Sequence, residues 1–134
     1  MENQEIFDNE VRQLLVRLLE GNFVDKICHL SSKGEVLYTR HLLLQERYEL
    51  YQKFFDKIAE YVLAKYWYKP IRAYIPSIHP QMGDENIDTE SLKCRIAVQN
   101  QIKALREVNT DSALNSILDE LWAELASSEF KLGF

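Results

Sequence analysis

The stretch LLQERYELYQKFFDKIAEYVLAKYWYKP, running from Leu43 to Pro70, decides the fold. At 100° per residue, Leu44, Tyr48, Tyr51, Phe55, Ile58, Val62 and Tyr66 fall on one seam. Leu43, Leu50, Phe54, Tyr61 and Tyr68 form a second stripe beside it. Together they span roughly 160°, wider than the ~100° apolar stripe of a helix packed on one side only. The opposite face carries Glu46, Glu49, Lys53, Asp56 and Glu60, with Glu49 and Lys53 at the supportive i,i+4 spacing. Leu63 and Trp67 interrupt that polar face near its end, and Pro70 disfavours a helical Lys69. The pattern predicts one long helix over about 35–68. Its length of about 50 Å exceeds the radius of gyration of about 14 Å expected for a compact domain of this size. Such a rod must protrude, bend, or be covered by another chain.

On the N-terminal side, Ile6, Phe7, Val11, Leu14, Leu15, Leu18 and Leu19 recur at steps of three and four. They predict an amphipathic helix over 5–20, stopped by Gly21. Asn22 then caps a short helix whose face holds Phe23, Val24, Ile27, Cys28 and Leu30. The competing reading of 26–38 is a β-hairpin around Lys33-Gly34, since residues 35–39 are a credible strand. On the C-terminal side, three prolines and Gly83 mark an ordered crossing that runs into a loop over 76–88. A helix follows from Asp88 or Thr89 to Val108, with a sparse stripe of Leu92, Ile96, Ile102 and Leu105, and Asn109 ends it. Thr110 or Asp111 caps the last helix, whose stripe is Leu114, Ile117, Leu118, Leu121, Trp122 and Leu125. Phe130, Leu132 and Phe134 alternate in an apolar tail over 130–134. The expected fold is therefore all-α: a single domain over 1–134, a bundle of about five helices around the 35–68 rod.

The chain has 134 residues, 46% of them hydrophobic and 28% charged, enough to bury a core without staples. Its net charge of -5 is uneven. Residues 1–69 hold eleven acids against ten bases, and residues 70–134 hold ten against six. Cys28 and Cys94 match no metal or redox spacing, and as reduced thiols they favour the cytoplasm. No targeting peptide and no run of about 18 apolar residues is visible.

Catalysis finds little support. His29, His41 and His79 are scattered, and four glycines form no phosphate loop. Nothing in the spacing asks for a metal, cofactor or small-molecule substrate, and His41 on the seam reads as a packed, hydrogen-bonded residue. The surplus lies in residues 65–74, where Lys65, Lys69 and Arg72 interleave with Tyr66, Trp67, Tyr68 and Tyr74. Aromatic residues and arginine are the currency of protein interfaces. The sequence thus points to a non-catalytic adaptor, regulator or inhibitor that binds a protein partner or a second copy of itself. Its expected contacts are Leu63, Trp67, Tyr68, Arg72 and Tyr74, with Phe130, Leu132 and Phe134 as a second anchor. The alternative is an accessory subunit for RNA or single-stranded DNA. There Lys65, Lys69 and Arg72 would meet phosphates, and Tyr66, Trp67 or Tyr68 would stack on bases. An enzyme with a dispersed site is the third reading.

Overall fold

In a computed structural model, residues 2–32, 38–75 and 77–132 are described, and they form four α-helices and one 3-10 turn. Helix α1 is Glu2–Ser31, α2 is Tyr38–Lys65, α3 is Ile87–Val108 and α4 is Ser112–Leu132. The 3-10 turn, Ile71–Ala73, lies in the connection between α2 and α3. We call the end where α1 begins the foot and the opposite end the head.

Helix α1 rises and α2 descends beside it. The following connection climbs back to the head, where Cys28 meets the Ile87 carbonyl and Arg40 bonds Asp88. Helix α3 then descends, so that Gln101 reaches Glu10 near the foot. The last helix rises between α2 and α3. This up-down-down-up order has one long crossover, residues 66–86, instead of hairpin turns throughout. The crossover lies over the α1–α2 side, where Ile71, Ile75 and Ile78 share a cleft of about 250 Å³ with Leu19 and Phe55.

The all-α class is as the periodicity predicts, but the expected helix count of about five falls to four among the described residues. Gly21 does not stop α1. Glycine inside a helix costs about 1 kcal/mol, yet here it makes room for a neighbour. A Cβ at Gly21 would stand 2.8 Å from Cε2 of Tyr51, whose ring is fully buried against the α1 backbone. The helix therefore continues and buries Val24 and Cys28 on the same face. Of the 26–38 hairpin alternative, residues 26–31 and Tyr38 are helical and Ser32 is irregular, while 33–37 lie outside the described residues. Replacing Gly21 with alanine should destabilise the protein by about 1–2 kcal/mol in a urea titration. The expected overpacking, about 1–3 kcal/mol, exceeds the gain in helix propensity. A stabilised variant would refute the close approach.

Helix α2 ends at Lys65, earlier than the predicted 68. The Val62 carbonyl accepts from both Tyr66 N at 2.8 Å and Trp67 N at 2.9 Å. The second bond widens the turn and ends the α phase. The rod also needs no outside cover. With 28 residues it measures about 42 Å, and α1, with 30 residues and about 45 Å, runs alongside it.

The main core joins all four helices through residues such as Leu14, Leu15, Phe54, Ile58, Ile102, Leu105, Leu118 and Leu121, each 0% exposed. Burial of each such side chain contributes about 1.5–3 kcal/mol. On α3 the buried stripe runs through Ser91, Val98, Ile102 and Leu105, while Ile96, predicted inside, is exposed. Toward the head, Val24, Cys28, Leu44 and Leu132 form a smaller cluster. Two stacked imidazoles tie α1 to α2 there, with ring centroids 3.6 Å apart. His29 Nδ1–H donates to the His41 carbonyl at 2.6 Å, and His41 Nδ1–H donates to the His29 carbonyl at 2.7 Å. A carbonyl only accepts, so both rings carry their proton on Nδ1.

Helix α3 starts at Ile87, one residue before the predicted Asp88, and is capped by Asn86, whose side chain accepts from Thr89 N at 2.9 Å. Helix α4 is capped by Asp111, which accepts from Leu114 N at 3.0 Å. Its acidic face is answered within the chain. Lys53 and Lys57 of α2 pair with Glu124 and Glu120, while Arg95 and Arg106 of α3 pair with Glu129 and Asp119.

Candidate functional site

The predicted site is the end of α2 and the start of the crossover, and the structure divides its residues into two groups. The early end of α2 turns the chain inward at Trp67, which is 2% exposed. Its Nε1–H donates to Asp8 Oδ1 at 2.9 Å, and its ring stacks on Tyr74 at 4.2 Å with planes 8° apart. Trp67 is therefore a pin between crossover and α1 and is not available to a partner or a base. Tyr74 is spent on the same stack, and Leu63 packs against the main core.

Tyr66 and Lys65 are also committed. Asp111 gathers Tyr61 Oη at 2.8 Å, Lys65 Nζ at 2.9 Å and Tyr66 Oη at 2.5 Å, besides capping α4. Burial alone would raise the Asp111 carboxyl. The hydroxyl of Tyr66, the Lys65 ammonium, the Leu114 amide and Tyr61 together hold it well below the usual carboxylate range. The same bonds raise Lys65 and Tyr66. This hub fastens α2 to the start of α4.

A depressed carboxylate contributes stability above its unfolded pKa of 3.8 that is lost as the pH falls below it. Asp111→Ala should cost roughly 2–4 kcal/mol near neutral pH, from the lost cap and the charge-assisted bonds. The difference from wild type should shrink in denaturation series below pH 4, and a difference that is constant with pH would contradict the hub.

What remains outside is Tyr68, 90% exposed, followed by exposed Lys69 and Arg72. Among the described residues neither base has a carboxylate partner, in contrast to the paired bases facing α4. The second predicted anchor does not hold together. Helix α4 continues to Leu132, which is 5% exposed and packs on Val24, Cys28 and Leu44. At helical pitch residues two apart lie on different faces, so Phe130 points outward, 89% exposed, and Leu132 inward. Phe134 lies outside the described residues.

Beside Tyr66 the foot opens into a cleft of about 400 Å³. Ile6 and Phe7 of α1 and Glu107 and Val108 of α3 line it with the Tyr66 ring. Sequence reasoning did not anticipate it, because its walls come from two helices and the start of the crossover. One signal was present: Ile6 and Val108 are large aliphatics at the outermost turns of their helices.

A second constellation was missed at the boundary between the two apolar clusters. Asp25, Arg47, Tyr51 and Ser91 are each 0% exposed, on three different helices. Burial pushes the Asp25 carboxyl up to about 7, although the Ser91 hydroxyl and the Arg47 guanidinium pull it down. The sequence held a clue, since Asp25 lies three residues before Cys28, and Arg47 lies between Leu44 and Tyr51, on the buried faces. Burial first, and then Asp25, also pushes the Cys28 and Cys94 thiols up to about 12, so neither supplies thiolate at neutral pH. Among the described residues no three His, Cys, Asp or Glu side chains are placed to hold a metal ion, and no helix is long and apolar enough to cross a membrane.

No family model matches the chain, and no curated protein or solved structure matches it either.

Proposed function

We propose that this chain is a non-catalytic binding protein, an adaptor, regulator or inhibitor that acts as a subunit of a larger assembly. It meets an acidic partner protein through Tyr68, Lys69 and Arg72 on the crossover. The observation that carries this reading is a pair of bases with no carboxylate partner among the described residues, beside a 90% exposed ring. Tyrosine and arginine are enriched at interface hot spots, where a ring buries much area at small entropic cost.

Nucleic acid is the weaker reading. Of its six residues, Lys65, Tyr66 and Trp67 are already engaged within the chain. A net charge of -5 also opposes a polyanion away from this one patch.

The chain isolated from the cells that make it should elute from a sizing column with light scattering as a complex heavier than 15.8 kDa. Its absorbance ratio at 260 and 280 nm should be that of protein. The Lys69→Glu, Arg72→Glu double variant should elute alone. Wild type alone at monomer mass, or a variant complex identical to wild type, would sink the proposal. A nucleic-acid absorbance ratio would move the site to the alternative.

A further inference from the structure

We infer that the foot cleft and the basic crossover form one groove, built for a short acidic protein segment that seats a large aliphatic side chain between Ile6 and Val108. This rests on the crossover reading above and adds an aliphatic contact, Ile6 and Val108, within a cleft whose rim also carries Asn3, Gln4, Asn109 and Thr110.

The cleft has the character of a socket. Ile6 and Val108 come from different helices and remain 42% and 36% exposed, yet they line the same opening. Behind them Phe7 and Tyr66 form a fixed wall, with centroids 5.0 Å apart and planes tilted by 57°. The Tyr66 ring is held by its bond to Asp111. A volume of about 400 Å³ falls at the small end of ligand sites, about 300–1,000 Å³. It suits one or two side chains.

Charge sets the occupant and its direction. Glu107 lines the α3 side of the cleft, and no base lines it. Lys69 follows Tyr66 by three residues, so the two Cα atoms are within about 11 Å of each other. Exposed Tyr68 lies between them in the chain, and exposed Arg72 follows three residues after Lys69. A segment with its aliphatic residue in the cleft and its acids over Lys69 and Arg72 satisfies both ends and keeps carboxylates away from Glu107. A nucleic acid would bring phosphates toward Glu107.

The test is an NMR titration of the full ¹⁵N-labelled chain with a capped octapeptide holding one leucine followed by four glutamates. Amide shifts are expected at Ile6, Val108 and Lys69. A peptide with serine in place of leucine should bind at least tenfold more weakly, given about 1.5–3 kcal/mol for burying a leucine side chain. The Ile6→Ser, Val108→Ser variant should show the same loss while its amide spectrum remains that of the folded chain, and Lys69→Glu with Arg72→Glu should abolish binding.

If charge reversal abolishes binding while the serine peptide and serine variant bind as before, the cleft inference fails and the crossover reading stands. If charge reversal changes nothing, both fail. No shift at millimolar peptide overturns the groove, while the sizing experiment still decides the crossover reading independently. Stronger shifts of the same amides with a twelve-residue thymidine oligonucleotide would overturn the inference in favour of nucleic acid.

Discussion

Raising the pH from about 4 to about 8 should weaken the fold through Asp25, and Asp25→Asn should remove most of that slope. The carboxyl is wholly buried, and burial raises it from 3.8 to about 7. Between about pH 4 and about pH 7 the folded chain holds a proton that the unfolded chain has released. Stability from this group is therefore full below about pH 4 and is lost as the pH climbs through about 7. At 1.36 kcal/mol per unit the loss amounts to about 4 kcal/mol. Arg47 reduces it but does not reverse it, because a buried guanidinium offsets only part of the cost of dehydrating a carboxylate. Denaturant titrations at pH 4.5, 6 and 8 check this, and equal slopes for wild type and Asp25→Asn would refute it. Asp111 works in the opposite direction and below this window, so the two groups together place greatest stability just above pH 4.

Trp67→Ala should be comparably severe, about 3–5 kcal/mol, as for other buried aromatic residues cut to alanine. The ring fills the space between crossover and α1, stacks on Tyr74 and bonds Asp8. Its removal leaves a cavity, an Asp8 oxygen without this donor, and a crossover without its pin. Trp67→Phe keeps the ring and should cost about 1–2 kcal/mol. Tyr68→Ala, one residue on, should stay within about 0.5 kcal/mol, as expected of a surface site. Amide exchange over 66–75 should quicken in Trp67→Ala alone. Equal costs at 67 and 68 would contradict the burial that separates them.

These neighbours show how far the sequence can be read. The seams of α2 and α4 were legible because a stripe at helical pitch has few ways to be buried. The Asp111 cap was legible because capping is local chemistry. The exposure of residues 65–74 was not, because helical phase ends with the shared Val62 carbonyl and composition does not say which ring turns inward. Gly21 was misread for a similar reason: its role is set by Tyr51, thirty residues away. The hub at Asp111 and the cleft at the foot both join residues from separate helices, and no spacing within one helix announces them.

The single long crossover has a practical consequence. Because α3 descends before α4 rises, residue 2 and residue 132 lie at opposite ends of the bundle. The last helix alone spans about 31 Å. A tether or dye attached after Leu132 therefore stands roughly a bundle length from the cleft, so a surface-immobilised chain presents its foot to a flowing ligand. The same separation suits energy transfer between dyes at the two ends, whose efficiency falls when the crossover lets go and the helices part.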